Sequence, residues 1–578
     1  MTRSAKALMA CFLIFLVSHL LIKVFDPDTW LHLHVGRFIL HNGFIPSVNT
    51  FSFTEPGHPW MPHEWLSQVI FYLTYSGFGV PGLTILRASV FLAAFLILYR
   101  AIHEPGWETL EIAGLALAAH AIAVANRISD RPEMFSALFF SSYYYILNRW
   151  RRDGTRWIWL IPFMQAFWIN MHGYFLFGLI FLFLFWYGEF GLPERAFWGS
   201  RRSRELLAVA GAGVAACLLN PHFHHGLVQA ISVAATIGDA RIAEWRPPYF
   251  SFSGFWTTGW DDPRKALILV STLSFVLNYR KAAATRWFLW GVFLLAFLQS
   301  RRNVLFFSLV AIPVTISNFR QTLEGRTRWT LSGPLAGITP RRLGVFLELA
   351  LAAVLLFGTY DMASGRFFAD HLFAQPGVGI SKVFYPEGIQ QFVKEAGLEG
   401  PGFNNYGIGN YVMWRFPDMK VFMDGRNLEA YSEDFINFYH KVKSGRIPLP
   451  ELLGRYKLRF FLINHQIDAG GASSLVKMLD KDKNWKLAYV DNAWVVFVPA
   501  RKTGKLVVGS LDEEQVGPWN RRELAWRHYQ MCSIWSRLER KKSALEECRK
   551  SLDLDPDFNR ARQQLKSLEN DARLTPPV

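Results

Sequence analysis

Cysteine is scarce in this chain, with four residues among 578. Cys11 and Cys217 lie in apolar stretches, whereas Cys532 and Cys548 lie in a charged C-terminal region. Their spacing fits neither a zinc site nor the disulfide framework of a small secreted protein. We therefore expect four buried thiols, unless the helices that carry Cys532 and Cys548 pack together and allow a bridge.

A cleavage site is also missing after the first apolar run. The basic segment 1–6 precedes this run, 7–25, as in a signal peptide. However, Asp26-Pro27-Asp28 follows where small residues would be needed for cleavage. The run is therefore predicted to be an uncleaved first membrane helix.

Long polar tracts are rare in the first 360 residues, which form a series of apolar runs separated by short polar or aromatic segments. Half of the chain is hydrophobic, and Phe (50) and Trp (22) are abundant, as expected at lipid-facing and interfacial positions. The net charge is +16. No basic stripe with interleaved aromatic residues accompanies it, so nucleic-acid binding is excluded and the excess charge indicates cytoplasmic loops.

The apolar runs predict about eleven membrane spans. These are 7–25, 81–101, 110–126, 133–149, 157–170, 174–190, 205–219, 266–279, 286–300, 304–318 and 343–360. With the N-terminus in the cytoplasm, the inner loops carry most of the arginine, in agreement with the positive-inside rule. An odd number of spans places everything after residue 360 outside, and we expect a multi-pass protein of the inner (cytoplasmic) membrane.

Ionisable and polar residues collect in the predicted outer segments, which predicts a polar cavity on that side. The alternative for each residue is an interfacial anchor in contact with lipid headgroups. The set comprises Asp26, Asp28, His32, His34, His63, Glu64, Arg127, Asp130, Arg131, Glu133, Asn170, His172, Asn220, His222, His224, His225, Glu244, Arg301 and Arg302.

The first outer loop, 26–80, has the most distinctive pattern. Asp26-Pro27-Asp28 is followed by an amphipathic stretch that ends at Asn42-Gly43, a helix stop, and we expect this helix to lie in the membrane interface. A turn-rich segment and a second amphipathic stretch, starting at His63-Glu64-Trp65-Leu66, complete the loop.

This layout resembles the GT-C superfamily of integral-membrane glycosyltransferases, in particular the protein O-mannosyltransferases and the aminoarabinose transferases. The closest resemblance is to a bacterial branch with Asp-Pro-Asp-x-x-x-His-Leu, His-Glu-Trp-Leu and Asp-Gly-Arg signatures, present here from Asp26, His63 and Asp424. Relatives often have Asp-Glu where this chain has Asp28-Thr29. The resemblance implies a mainly α fold, a helix bundle with an outer soluble α/β domain, in the cell envelope.

The implied activity is transfer of a hexosyl or pentosyl group from a polyprenyl-phosphate-linked donor to a glycan, lipid or protein acceptor. Asp28 is the predicted general base, with Asp26 as competitor and Glu64 in support. Arginine and histidine would stabilise the lipid phosphate that leaves. The predicted substrate-binding residues are His32, His63, Arg131, Glu133, His172, Glu244, Arg301 and Arg302.

A divalent cation, Mg²⁺ or Mn²⁺, is a further prediction, because Asp26 and Asp28 with Glu64 or a histidine offer suitable ligands. The alternative is that Asp28 only caps the following helix. The segment from Asn220 to His225 is also rich in histidine, but Pro221 breaks its spacing.

The C-terminal part is predicted to hold two further regions. Residues 361–505 indicate an α/β domain, with helices near 386–397 and 431–444 and strands at 421–423, 460–463 and 494–498. The Asp424–Arg426 segment could touch substrate, but a structural turn with a local ion pair is favoured.

A charged tail follows the linker at 505–519. Residues 520–570 resemble a tetratricopeptide repeat at Ala544, Cys548, Ser551 and Pro556, and a single repeat needs a partner surface, either the outer domain or another protein. The bundle with its outer loop 26–80 spans 1–360. Two other functions stay open: a transporter or flippase of lipid-linked sugars, and a polysaccharide polymerase or ligase.

Overall fold

The computed structural model describes residues 2–191, 200–235, 243–249, 255–256, 259, 262–324, 340–367, 375–466, 472–511 and 521–573. The chain is mainly helical (68%) and has one small sheet, as the sequence predicts. It divides into two compact units. The bundle unit comprises Met1–Ile22, His63–Gln68 and Pro81–Ala363, and the mixed unit comprises Lys23–Pro62, Val69–Val80 and Ser364–Val578.

Thirteen helices are described up to residue 363. They are α1 (Arg3–Leu20), α2 (Pro27–Asn42), α3 (Trp65–Ile102), α4 (Glu108–Val124), α5 (Glu133–Asp153), α6 (Leu160–Met171), α7 (Phe175–Trp186), α8 (Arg201–Ala216), α9 (His224–Ala235), α10 (Pro263–Asn278), α11 (Ala284–Gln299), α12 (Val304–Leu323) and α13 (Pro340–Ala363). Short helical turns are found at Arg156–Trp159, Tyr187–Gly191, Ala243–Trp245 and Arg301–Asn303.

Four described helices are long and apolar enough to cross a membrane: Arg3–Leu20, Trp65–Ile102, Arg301–Leu323 and Arg342–Ala363. Each of the eleven apolar runs identified in the sequence lies largely within a described helix. The number of membrane spans stays a prediction. The run 81–101 is the second part of α3, which is kinked at Gly79 (φ 62°) just before Pro81. A left-handed glycine and a proline two residues later explain why the helix changes direction there.

Two of these helices have opposite environments. Residues of α12 from Val304 to Ile316 are buried, so this helix forms the centre of the bundle. On α13, Leu349, Val354 and Phe357 are exposed. Apolar side chains turned outward over a long helix are expected where lipid is the solvent.

Among its described residues, the mixed unit contains eight further helices and a five-stranded sheet. The helices are α14 (Gly388–Glu395), α15 (Gly409–Arg415), α16 (Glu433–Lys443), α17 (Leu449–Tyr456), α18 (Ala472–Lys481), α19 (Arg521–Arg537), α20 (Lys541–Leu554) and α21 (Asn559–Arg573). The strands are β1 (Gly402–Asn404), β2 (Phe460–Asn464), β3 (Trp485–Val490), β4 (Trp494–Pro499) and β5 (Val507–Val508). The strand order is β1-β2-β4-β3-β5, in which β1 and β2 are parallel and β4 is antiparallel to both neighbours.

The predicted strand at 421–423 does not join this sheet. Val421 makes only an isolated bridge to Ser52. The side chain of Asn404 takes the place of a neighbouring strand, because its Oδ1 accepts from the Phe422 N–H (2.7 Å) and its Nδ2 donates to the Met423 carbonyl (2.6 Å). The segment is buried, as its composition predicts, without being part of a ladder.

Helix α2 begins after Asp26 and ends at Gly43 (φ 71°), as the sequence predicts. Its surroundings differ from the expected membrane interface, because every residue from Thr29 to Gly36 is buried within the mixed unit. The helix packs against α15, and Trp30 makes edge-on contacts with Tyr385 and Tyr411. Contacts with sequence-distant helices thus cover the side that was expected to face water.

The tail is a set of three packed helices, α19 to α21. Cys532 and Cys548 form a disulfide between α19 and α20, so the expectation of free thiols is wrong for this pair. Cys11 and Cys217 are free. The Ser551 hydroxyl also donates to the Ala525 carbonyl across the two helices (2.7 Å). The tetratricopeptide likeness stays a prediction, and the linker at 505–519 lies partly outside the described residues.

Candidate functional site

Asp26 and Asp28 have different environments at the start of α2. Asp26 is buried, and its Oδ1 accepts from the Asp28 N–H (3.0 Å), so Asp26 caps the helix. The sequence alternative assigned this cap to Asp28. Asp28 is half-buried, and its Oδ1 accepts from Asn410 Nδ2 (3.2 Å). The capping function therefore leaves the Asp28 carboxylate as the better candidate for chemistry.

Asn410 links Asp28 to the Asp-Gly-Arg segment. Its Oδ1 accepts from the Gly425 N–H (2.8 Å) while its amide nitrogen holds Asp28. A Cβ at position 425 would lie 2.4 Å from Asn410 Nδ2, so only glycine permits this approach. Two sequence signatures of the mixed unit, around Asp28 and Asp424, are thereby joined by one amide side chain.

Asp424 and Arg426 form the local ion pair that the sequence favours. Arg426 donates from Nε and Nη2 to the two carboxylate oxygens (2.8 and 2.7 Å), and the Tyr431 hydroxyl donates to Oδ2 (2.6 Å). Burial opposes the charge, but the Arg426 guanidinium and these hydrogen bonds lower the pKa of Asp424. The guanidinium also lies over the ring of Trp60, at 4.5 Å from its centroid. The Asp424 carboxylate is thus fully engaged by Arg426 and Tyr431, as expected for a structural ion pair.

The histidines of α2 are buried. His32 stacks on Phe71 with ring centroids 5.7 Å apart, and it lies inside the mixed unit. Burial, assisted by the charges of Arg37 and Arg426, lowers the pKa of His34 to about 3. Both rings are better placed for packing than for binding a ligand from solution.

In the bundle unit, Glu64 lies beside two of the predicted histidines. Its Oε1 is 3.4 Å from His172 Nε2 and 3.8 Å from His63 Nε2. The other ring nitrogen of His172 contacts the Ser136 hydroxyl (3.0 Å), which also accepts from Trp168 Nε1 (2.8 Å). His172 is thus held on both sides, and the structure brings His63, Glu64 and His172 together.

A second group surrounds Glu244, in the turn Ala243–Trp245. Arg127 Nη2 lies 3.1 Å from Glu244 Oε1, and Arg131 Nη1 lies 2.9 Å from Oε2. Burial by itself would raise the pKa of Glu244, but the charges of Arg127, Arg131 and Arg302 hold that pKa well below its usual range. Glu244 is therefore a permanent carboxylate between arginines.

Glu133 and Arg302 extend this group. Arg127 Nη1 is 3.3 Å from Glu133 Oε2. Arg302 lies over the Tyr174 ring at 5.0 Å, and the Tyr174 hydroxyl donates to Asn303 Oδ1 (3.0 Å). We call the five ionisable residues Arg127, Arg131, Glu133, Glu244 and Arg302 the arginine cluster. It holds three cations and two carboxylates.

The turn that carries Glu244 is fixed to the start of α12 by main-chain contacts. The Ser300 hydroxyl donates to the Glu244 carbonyl (3.1 Å), and the Arg301 N–H donates to the Arg246 carbonyl (3.0 Å). Arg301 itself is exposed, unlike Arg302. The predicted residues Arg131, Glu133, Glu244 and Arg302 are thus brought together, with Arg301 beside them.

Asp130 has an ionic partner, Arg87, that the sequence did not indicate. Arg87, fully buried in α3, pairs with Asp130 and donates to the Ile22 carbonyl. An arginine inside an apolar run is a signal in itself, because a buried membrane arginine needs a partner. Arg127 was noted only as one of the outer residues, and its central place depends on contacts between distant helices.

In the part of the chain that the structure describes, Asp26 and Asp28 do not belong to a candidate metal-binding group, and their role as metal ligands stays a prediction. Within the described ranges, no group of three or more His, Cys, Asp or Glu side chains is arranged to hold a metal ion. Asp26 Oδ1 is engaged in the helix cap, so a cap does form here, but Asp26 supplies it rather than Asp28. His224 and His225 begin α9 with their rings tilted against each other, centroids 4.0 Å apart, without forming such a group.

The similarity of this chain to known proteins lies in its structure. No family model and no curated protein matches the sequence. The oligosaccharyltransferase AglB from Archaeoglobus fulgidus, in complex with an inhibitory peptide and a dolichol-phosphate, is similar with a TM-score of 0.50 and 12% identity, covering 87% of this chain and 75% of that one. The apo form of the Archaeoglobus fulgidus oligosaccharyltransferase is similar with a TM-score of 0.51 and 12% identity. This match covers 82% of this chain and 71% of that one.

The chain has a GT-C-like fold. A third structure, ArnT from Cupriavidus metallidurans bound to undecaprenyl phosphate, has a TM-score of 0.46 at 12% identity and covers 86% of this chain and 98% of that one. The four described helices that are long and apolar enough to cross a membrane indicate an integral membrane protein.

Proposed function

We propose that this chain is a membrane glycosyltransferase that moves a sugar from a polyprenyl-phosphate-linked donor to an acceptor at the extracytoplasmic face. The GT-C-like fold supports the class of reaction, and the similar archaeal enzyme was solved with a dolichol-phosphate. The single observation that carries the proposal is the arginine cluster, a partly buried group with more arginines than carboxylates.

The arginine cluster suits a lipid phosphate. Arginine binds phosphate oxygens through two parallel N–H donors and stays charged at any physiological pH. Glu133 and Glu244 hold the guanidinium groups in place without neutralising all three. A phosphate that enters would find preorganised cations, which stabilise the charge that develops on it as the sugar departs.

Asp28 is the proposed general base. The acceptor must lose a proton as it attacks the anomeric carbon, and a carboxylate within hydrogen-bond reach can take that proton. Asp28 is half-buried, and Asn410 fixes its orientation. Glu64 and His172, whose Oε1 and Nε2 atoms lie 3.4 Å apart in the bundle unit, are assigned to substrate binding, with His63 beside them.

The disulfide in the tail supports the proposed orientation. Disulfides persist outside the cytoplasm and are rare inside it. A bridge between Cys532 and Cys548 therefore favours an extracytoplasmic C-terminal region. The domain limits 1–360, 361–505 and 520–570 belong to the same proposal, as does a protein partner for the tail.

The direct test incubates the full-length protein, in membrane vesicles, with radiolabelled undecaprenyl-phosphate hexose and undecaprenyl-phosphate pentose, together with an extract of envelope acceptors. We expect release of undecaprenyl phosphate and transfer of label that depends on the protein. Movement of intact donor across the vesicle membrane, without cleavage of the sugar–phosphate bond, would identify a transporter and contradict the proposal.

A further inference from the structure

A second polar pocket lies in the bundle unit, at the far ends of the helices that carry the arginine cluster. Glu133 starts α5, whereas Arg151 is 18 residues further along it, a distance of about 27 Å at 1.5 Å per residue. Ser317 lies toward the end of α12, which begins beside Arg302. The polar lining consists of Tyr144, Asn148, Arg151, Thr285, Arg286 and Ser317.

Two arginines face this pocket, and one carboxylate accompanies them. Arg151 donates to Asn148 Oδ1 (2.7 Å), and its Nη1 lies 3.4 Å from Glu189 Oε1. The same Glu189 oxygen accepts from the Thr285 hydroxyl (2.7 Å), so its charge is already shared. The pocket thus has an excess of positive charge.

Arg286 has only neutral partners. Its Nη1 donates to Asn318 Oδ1 (2.8 Å) and Gln321 Oε1 (3.1 Å), and among the described residues it forms no ion pair. Amide oxygens orient a guanidinium without cancelling its charge. An arginine fixed in this way, beside a second arginine, is prepared to receive an anion.

The main chain at Gly188 lies close to Thr285, and this contact positions residues that line the pocket. Gly188, in the turn Tyr187–Gly191, packs against Thr285, and a Cβ there would lie 2.5 Å from the Thr285 Cα. Glycine at this position lets Glu189 reach Thr285 and Arg151 together. The site therefore depends on a specific chain geometry between α7 and α11.

Phe185, Leu289 and Val314 line the rest of the pocket. An apolar wall beside paired arginines matches a ligand with a phosphate group and a hydrocarbon chain. We propose that this pocket binds the phosphate of an anionic lipid, at the end of the bundle opposite to the arginine cluster. The proposal concerns a separate site and does not depend on the glycosyltransferase assignment.

Binding measurements on the full-length protein in detergent test this proposal. Native mass spectrometry would follow titration with dioctanoyl phosphatidic acid, dioctanoyl phosphatidylcholine and inorganic phosphate. The Arg286→Gln variant should weaken binding of phosphatidic acid about tenfold or more, since a charge-assisted hydrogen bond is lost. Arg280→Gln, an exposed arginine two residues beyond α10, removes the same charge and should leave binding unchanged.

Ser317→Leu supplies a second variant with no change in charge. It fills the pocket and should also weaken binding of phosphatidic acid, in protein whose size-exclusion profile matches the wild type. Equal affinity of Arg286→Gln and Arg280→Gln would overturn the site, because general surface charge would then explain the binding. Inorganic phosphate binding as tightly as the lipid would overturn the lipid assignment.

Discussion

Two groups of arginines and carboxylates differ in how completely their charges are paired within the group. We call a group closed when its arginines and carboxylates are equal in number, and open when arginines are in excess. In the mixed unit, one arginine meets one carboxylate: Arg426 donates to both oxygens of Asp424, and Tyr431 and Trp60 cover the pair. In the bundle unit, the arginine cluster holds three cations and two carboxylates: Arg127 and Arg131 form the ion pairs, and the charge of Arg302 also acts on Glu244. A carboxylate that is fully engaged by its own arginine mainly holds the fold, whereas a cluster with more arginines than carboxylates retains charge that a substrate can use.

The same distinction separates the two carboxylates at the start of α2. Asp26 Oδ1 is engaged in its helix cap, whereas Asp28 Oδ1 accepts a hydrogen bond from the side-chain amide of Asn410. We therefore expect substitutions in open groups to change the transfer reaction, and substitutions in closed groups to change stability. The predictions below test this division.

The largest effect is expected for Asp28→Asn. Asparagine can still accept from Asn410, so the fold should persist, but it cannot take a proton from the acceptor. Sugar transfer should fall by about 10²- to 10⁴-fold, the usual contribution of a general base. The rate is measured as label transferred per correctly inserted protein.

Asp418→Asn is the matched control for this variant, since Asp418 is an exposed carboxylate of the same unit. Its transfer rate should equal that of the wild type. If Asp28→Asn also transfers sugar at the native rate, Asp28 is not the general base. The contrast between Asp28 and the capping residue Asp26 would then have no bearing on the reaction.

The next effect concerns the closed pair. Asp424→Asn leaves the buried Arg426 guanidinium without its counter-charge, which should lower the free energy of unfolding by about 3–5 kcal/mol. Denaturant unfolding of the full chain in detergent measures this, with Asp418→Asn again as control. A loss of transfer at unchanged stability would instead place Asp424 and Arg426 among the open groups.

Local patterns explain what the sequence predicted well. Each apolar run became a helix because hydrophobic length is a property of neighbouring residues. Gly43 ended α2, and the ion pair of Asp424 and Arg426 formed, because both depend on contacts within a few residues. Helix α9 was missed, since its start was considered only as part of a histidine-rich segment whose spacing Pro221 breaks.

Contacts between distant segments explain what could not be predicted. The bridge of Arg87 to Asp130, the amide of Asn404 that replaces a strand, and the burial of α2 all depend on residues far apart in sequence. The candidate site shows the same limit. Residue types identified Arg131, Glu133, Glu244 and Arg302, but no spacing rule indicated that Arg127 joins them.

Within the open cluster, Arg131→Gln should reduce transfer by about 10²- to 10³-fold, since a preorganised donor to the leaving phosphate is lost. Because that charge develops during the reaction, kcat should fall more than the KM for the donor rises. Arg280→Gln, which removes an exposed arginine outside the cluster, should leave both constants unchanged. Loss of stability without loss of kcat would show that the cluster is closed.

The smallest expected effect is the pH dependence of stability that the buried, neutral His465 contributes. It distinguishes this residue from the buried ion pair of Asp424 and Arg426. Burial lowers the pKa of His465 to about 3, so the unfolded chain binds a proton between pH 6.5 and 3 that the folded chain does not. Stability is therefore lost as the pH falls through this window, by about 2 kcal/mol at pH 5. His34 should contribute a loss of the same sign. Asp491, whose pKa burial raises to about 6, contributes the opposite sign, since its folded form gains a proton first.

His465→Gln isolates one of these contributions. Glutamine does not titrate, so the difference in unfolding free energy between variant and wild type should shift by about 2 kcal/mol, in favour of the variant, between pH 7 and pH 5. Denaturation midpoints at pH 7 and pH 5 measure this change in unfolding free energy. Asp424→Asn should show no comparable change, because the pKa of Asp424 lies below pH 5 in both the folded and the unfolded chain. If the difference in unfolding free energy between His465→Gln and the wild type did not change with pH, His465 would be protonated at pH 5 in the folded protein. Its hydrogen bond to the Asp491 carbonyl (3.1 Å) would then be made by a charged imidazolium and not by a neutral ring.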